Sequence, residues 1–266
     1  MMAAQPDPIR PKVGLSACLS GQPVRYDGRD KYAPVCMEVI GRYVEWVPLC
    51  PEVAVGLGIP RPPIDLVQDG GTIRAVNRQD PSLDATTALE AYAEQVGDAF
   101  PELCAYVFMS RSPSCALHSG RLYRAEDGEL LSMSTPGRYA ERWCAAHPDL
   151  PVIEAGDLDS IQAQAAFLCR VYLAHARRYA PSPSTLPALN ALLRTLFPQY
   201  RSATIDETRT LLRTIDVSNG QAIKSALGTL QARLIHDPAT GRELPAFIRE
   251  LLETVPARPE SERGGL

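Results

Sequence analysis

Short apolar runs that stop at turn residues, with helix-patterned stretches between them, limit what this chain can fold into. Residues 13–19, 44–49 and 105–109 read as buried strands. Helical spacing is expected over 32–41, with Val35, Val39 and Ile40 on the apolar side. It is expected again from 84 to 100, with Asp84 as N-cap. Strands separated by helices predict an α/β fold with a mainly parallel sheet flanked by helices, Rossmann-like in style. A cysteine stands where each run gives way to a turn: Cys18, Cys50 and Cys115. In an open α/β sheet, ligands gather beyond the carboxyl ends of the strands. Three thiols far apart in sequence are therefore predicted to converge. Convergent thiolates suit soft metals or iron–sulfur clusters, and three ligands rather than four leave one coordination position open.

Two hairpins interrupt the alternation. One joins 64–67 to 72–76 through Asp69-Gly70-Gly71, and the other turns around Glu126-Asp127-Gly128 within 120–131. Residues 148–153 look extended. The domain plan places an α/β cluster-binding domain at 12–157 and a small all-α module at 158–255. In that module, helical spacing is expected over 161–179, 186–197, 206–215 and 218–235, with one more short helix at 245–255. A disordered tail is expected at 256–266. Nothing catalytic is visible in the helical module, so a protein partner is its expected use.

Composition narrows the function classes. With 266 residues, 45% hydrophobic and 22% charged, the chain can bury a core without staples. A net charge of -4 argues against broad binding of duplex nucleic acid. No apolar run approaches a membrane span or a signal peptide, which gives a cytoplasmic expectation. Seven cysteines, unevenly spaced, do not form a secreted disulfide scaffold. Cys36, Cys104, Cys144 and Cys169 lie in apolar contexts that suit simple packing. The four histidines make no zinc-type spacing with a cysteine pair; only His118 is close to one of the three loop cysteines.

Each cysteine loop brings polar company. The first carries Arg25, Tyr26 and Asp27 between Gly21 and Gly28. The second opens Cys50-Pro51-Glu52 and continues to Arg61 among prolines. The third reads Ser110-Arg111-Ser112-Pro113-Ser114-Cys115. Glu52 is either a carboxylate partly desolvated beside a metal centre, where a raised pKa would let it move protons near neutral pH, or a surface glutamate that caps the following turn. Arg61, held stiffly, suits recognition of an anion or carbonyl, or equally a structural ion pair. The loop hydroxyls either contact a cluster or substrate or cap the turn.

Taken in order, these stretches resemble the thiouracil desulfidase family. They are Ser16-Ala17-Cys18-Leu19-Ser20-Gly21 with Val24-Arg25-Tyr26-Asp27-Gly28, then Cys50-Pro51-Glu52 with Pro60-Arg61-Pro62-Pro63, then Ser112-Pro113-Ser114-Cys115. The resemblance covers roughly residues 13–153 and is to two-domain members with a helical C-terminal region. It implies a 4Fe-4S cluster on Cys18, Cys50 and Cys115 that takes sulfur from a thiolated base such as 2-thiouracil. The expected reaction is a hydrolase-type C–S cleavage without net redox change. By motif position Glu52 and Ser112 or Ser114 map to the chemistry; Arg25, Tyr26, Asp27 and Arg61, from the loop reading, are the candidate substrate-binding residues. Two positions depart from the family pattern: Met109 stands where a lysine is usual, and Ala116 where a glycine usually follows the last cysteine. Two competing readings are a non-catalytic zinc or iron–sulfur protein and a thiol redox enzyme using Cys50 or Cys115. The first expects a fourth ligand such as His118 or Cys144. The second expects a lowered thiol pKa.

Overall fold

A computed structural model describes residues 10–77 and 79–160, together with 163, 164, 167, 168, 170, 171, 174, 175 and 178. The last nine are helical, within the stretch where a helix over 161–179 is expected. The later helices and the tail expected at 186–266 lie outside the described residues. Residues Lys12–Asp159 form one compact unit. Among the described residues, no helix is long and apolar enough to cross a membrane.

Four parallel strands build the first sheet: β1 (Lys12–Ser16), β2 (Glu45–Leu49), β5 (Ala105–Phe108) and β8 (Val152–Glu154), in the order β2-β1-β5-β8. Their ends are flush. Ser16 pairs with Leu49 and Leu15 with Val107, which leaves Ser16 beside Phe108; Phe108 in turn pairs with Glu154. Leu49, Ser16, Phe108 and Glu154 thus form one row across the carboxyl edge, and every following loop starts from that row. The chain steps outward from β1 to β2, then crosses back to β5. The crevice beyond β1 and β5 is therefore the point where strand order reverses, the place where open α/β sheets collect ligands.

The two hairpins do not join this sheet. β3 (Asp65–Asp69) with β4 (Thr72–Val76), and β6 (Gly120–Arg124) with β7 (Leu130–Thr135), form a second, mixed sheet ordered β4-β3-β6-β7, in which β3 and β6 pair parallel. Tight turns keep each hairpin's own partners together. One face of each sheet is then free to bury apolar side chains, Leu49, Tyr106 and Phe108 from the first and Leu66, Ala75 and Leu122 from the second.

The core between them is completed by helices α2 (Thr86–Ala99) and α3 (Arg138–Ala146). Leu89, Ala93 and Val96 of α2, spaced for one helical face, are buried, as are Tyr139, Ala140 and Trp143 of α3. Tyr106 and Phe108, two apart on β5, stack at 4.1 Å, with Trp143 edge-on to Tyr106 at 5.2 Å. A Cβ on Gly14 would lie 2.4 Å from the Tyr106 ring, so β1 must carry glycine there. Arg138–Glu90 and Arg142–Glu94 tie α3 to α2.

Two local expectations shift. Residues 35–39 form a π-helical turn followed by a 3-10 turn at Ile40–Arg42. The wider turn buries Cys36 and Ile40 and leaves Val39 40% exposed, so Val39 is not on the apolar side. The N-cap position of α2 is Ala85 rather than Asp84. The Asp84 carboxylate still accepts the Thr86 N–H, and its other oxygen pairs with Arg74 of β4.

Candidate functional site

The three loop cysteines share one cavity. Cys18, Cys50 and Cys115 all line a cavity of about 260 Å³ at the carboxyl edge of the parallel sheet. Cys18 lies in the 3-10 turn Ala17–Ser20 that follows β1. Cys50 precedes α1 (Pro51–Ala54), a single turn that Pro51 starts without losing a needed donor. Cys115 is carried on the loop that leaves β5.

Burial pushes all three thiols up, Cys18 to about 11 and Cys115 well above its ordinary value. Each of the three also feels another of the thiols or the Glu52 carboxylate as a like charge. Opposing effects are already in place. The Val53 and Glu52 N–H groups face the Cys50 sulfur, Arg25 lies near Cys18, and the Ser16 hydroxyl hydrogen-bonds Cys115. A metal centre displaces thiol protons and turns mutual repulsion into shared ligation. The donor set therefore fits a soft, sulfur-liking cofactor. It does not fit a thiol nucleophile, which needs a lowered pKa. Among the described cysteines there is no disulfide.

Glu52 projects into the same cavity and is held on both oxygens. Arg61 Nε and an Arg61 terminal nitrogen both reach Glu52 Oε2 at 2.9 Å, and the Ser114 hydroxyl donates to Oε1 at 2.8 Å. The remaining Arg61 nitrogen donates to the Gly58 carbonyl, and the Arg61 N–H to the Tyr26 carbonyl. The Arg61 side chain is 3% exposed. Arg61 lines the cavity, but its guanidinium is committed to Glu52 and to the second loop.

The other predicted residues divide. Arg25 and Tyr26 line the cavity, with the Arg25 guanidinium 5.9 Å from the Tyr26 ring centre. Asp27 does not line it; its carboxylate accepts the Arg29 N–H in an exposed turn. Ser112 lines the cavity, and its oxygen accepts the N–H groups of Ser114 and Cys115, folding the turn. Ser114 is fully buried behind Glu52. Met109 borders the cavity as well.

His118 does not line the cavity; its Nε2 lies 2.8 Å from Asp157. Cys36, pushed up to about 12 by burial, Cys104 and Cys144 lie outside the cavity lining as well. Cys169 is outside the described residues. Neither proposed fourth ligand, His118 or Cys144, is therefore at the site.

Two contributors carry no short-range sequence signal. Ser16 accepts the Met109 N–H at 3.0 Å and so joins β1 to the third loop beside Cys115. The amide groups of Gly137, Arg138 and Ala140, at the start of α3, donate to the carbonyls of Ala116, Pro113 and Ser114. The helix's unpaired first amides and the loop's unpaired carbonyls thereby satisfy each other. A Cβ on Gly137 would lie 2.4 Å from the Ser114 carbonyl carbon.

The profile of the 2-thiouracil desulfurase family matches residues 13–155. A solved structure titled 4Fe-4S-dependent thiouracil desulfidase TudS is 30% identical, the match covering 56% of this chain and 93% of that one at a TM-score of 0.43. No curated protein matches.

Proposed function

The chain belongs to the 2-thiouracil desulfurase family, and from that premise we propose that it removes sulfur from a small thiolated nucleobase at a 4Fe-4S cluster held by Cys18, Cys50 and Cys115. The observation that carries this reading is that three thiols, two buried and one half-buried, and a doubly anchored carboxylate line one cavity. Its volume of about 260 Å³ has to take both the cluster and the substrate, which favours a small substrate.

When bound, the cluster supplies a thiophilic, Lewis-acidic iron with one position free of protein sulfur. The remaining work falls to the chain. Arg25 and Tyr26 flank the ring, and Ser112 offers its hydroxyl at the cavity wall. Glu52 takes a proton from a water that adds to the thiocarbonyl carbon. Arg61 and Ser114 keep that carboxylate aimed inward through the transfer. The carbon–sulfur bond breaks, a carbonyl remains and sulfur leaves as hydrosulfide, so the reaction is a hydrolysis with no change in electron count. Free thiolates that must hold iron fit a reducing, cytoplasmic setting. Residues 158–255 are proposed as a separate helical module with a protein partner.

Anaerobic reconstitution, iron and sulfide quantification and a hydrosulfide assay on 2-thiouracil test the proposal. Glu52→Gln is expected to keep wild-type iron and to lose about 10²–10⁴-fold in turnover, the usual contribution of a general base. A loaded wild-type cluster inactive on every thiolated base tried would falsify the activity. Undiminished turnover in Glu52→Gln removes the carboxylate from the chemistry.

A further inference from the structure

Glu154 closes the row at the carboxyl edge of the sheet, is 1% exposed and does not line the cavity. Its Oε1 accepts three consecutive backbone N–H groups, those of Leu117 at 2.7 Å, His118 at 2.9 Å and Ser119 at 3.1 Å. Its Oε2 accepts the Ser119 hydroxyl at 2.6 Å, and the Ser110 hydroxyl also bonds the carboxylate. Burial opposes the charge, yet these donors hold the carboxyl below its ordinary value. Successive amides curled around one anion form a nest, and hydrogen bonds to an ionised acceptor are among the stronger ones.

The partners of Glu154 mark the two ends of the loop that carries Cys115. Ser110 opens that loop and Ser119 closes it. Ser110 Oγ also accepts the Gly156 N–H, and Ser119 Oγ accepts the Arg111 N–H at 2.7 Å. Arg111 stands at φ 61°, a left-handed conformation that a residue with a side chain rarely adopts. A loop with that shape needs outside bonds to persist. His118–Asp157 adds one more tie to the segment that follows Glu154.

We propose that Glu154 is a positioning residue: it cinches the 110–119 loop at its base and so keeps Cys115 at the cavity wall and Ser114 behind Glu52. Only the consequence for iron binding rests on Cys115 being a cluster ligand; the hold on the loop does not.

The test separates the two. The full chain is freed of metal with a chelator, and each cysteine is labelled with N-ethylmaleimide and followed by peptide mass mapping. Wild type, Glu154→Ala and Glu154→Gln are compared, with Cys36 and Cys104 as internal controls. Glu154→Ala takes the shared acceptor from three consecutive N–H groups of the loop, so Cys115 should label about tenfold faster or more while Cys36 and Cys104 keep wild-type rates. Glu154→Gln, which retains one acceptor oxygen, should fall between. Equal acceleration at all three cysteines means general unfolding and overturns the proposal, as does an unchanged Cys115 rate. Iron and sulfide content after anaerobic reconstitution should drop in step with Cys115 labelling. Selective labelling with full iron content would support the clasp and remove Cys115 from the ligand set.

Discussion

Two glutamates, Glu52 and Glu154, lie at the same edge of the same sheet, each with both oxygens occupied, and they differ in what holds them. Glu52 is gripped by side chains, Arg61 and Ser114, and faces the cavity. Glu154 is gripped mainly by backbone amides and does not line the cavity. Side-chain partners swing on rotatable bonds and can follow a carboxylate as its charge or aim changes. Backbone amides are fixed by the loop, so their carboxylate is a structural anchor. The carboxylate suited to moving a proton is the one whose neighbours can adjust.

The largest effect should come from removing the cation on the cavity side. Arg61→Met strands Glu52 in a nearly buried position and deletes the bond to the Gly58 carbonyl as well. Breaking a buried pair from one side costs about 3–5 kcal/mol, so a large fall in urea midpoint is expected. Arg61→Lys keeps the charge but cannot reproduce the fork, and should recover stability better than turnover. Equal recovery of both would make Arg61 a structural cation only and blur the contrast with Glu154.

Much of the Glu52 side was legible in the sequence, and little of the Glu154 side. Cys18, Cys50 and Cys115 each follow a readable strand, and parallel strands deliver their ends to one edge. Glu52 is two residues from Cys50. Glu154, by contrast, acts on main-chain amides 35 to 37 residues away in sequence, and main-chain amides carry no residue-type signal. Arg61 was readable as a stiff cation, but its direction was not, because the choice between ligand and Glu52 is made by folding. The hairpins were readable from their turns. Their separation into a second sheet was not, since local alternation does not say which sheet a strand joins.

Gly137→Ala presses on the same loop from the opposite side. The added methyl would meet the backbone of Ser114 and Cys115 at 2.4 to 2.8 Å. Neither backbone can yield without moving the Cys115 loop, and such overpacking costs about 1–3 kcal/mol. Thermal unfolding should show the loss, and iron loading should fall with it. Full loading would mean the loop has slack, and the clasp at Glu154 would matter less than its bonds imply.

A smaller change is expected for Ser114→Ala. It deletes one neutral donor to Glu52 and leaves the Arg61 fork. The stability loss should be about 0.5–1.5 kcal/mol, the net worth of an ordinary hydrogen bond. Turnover should fall more than iron content, because the carboxylate loses its aim while the thiols stay in place. A parallel loss of both would place Ser114 with the loop's architecture rather than with Glu52.

The smallest effects are those of pH on the Glu154 side. The folded Glu154 carboxyl is held below its ordinary value of 4.5. Its contribution is therefore present above that value and is lost as acid takes the pH down through the lower folded one. His118 runs the other way. The hydrogen bond to Asp157 raises it above 6.5, so its contribution is present below 6.5 and fades as pH climbs through the raised value. Both His118 and Asp157 are largely exposed, which limits that pair to a few tenths of a kcal/mol. Urea unfolding of wild type and Glu154→Gln should show a gap at pH 7 that narrows below pH 4.5. The gap between wild type and His118→Gln should be small at pH 5.5 and fade as pH rises above 6.5 through the raised value. A Glu154 gap that widened on acidification would mean that the amide nest prefers the protonated acid, and the fixed-anchor half of the contrast with Glu52 would be wrong.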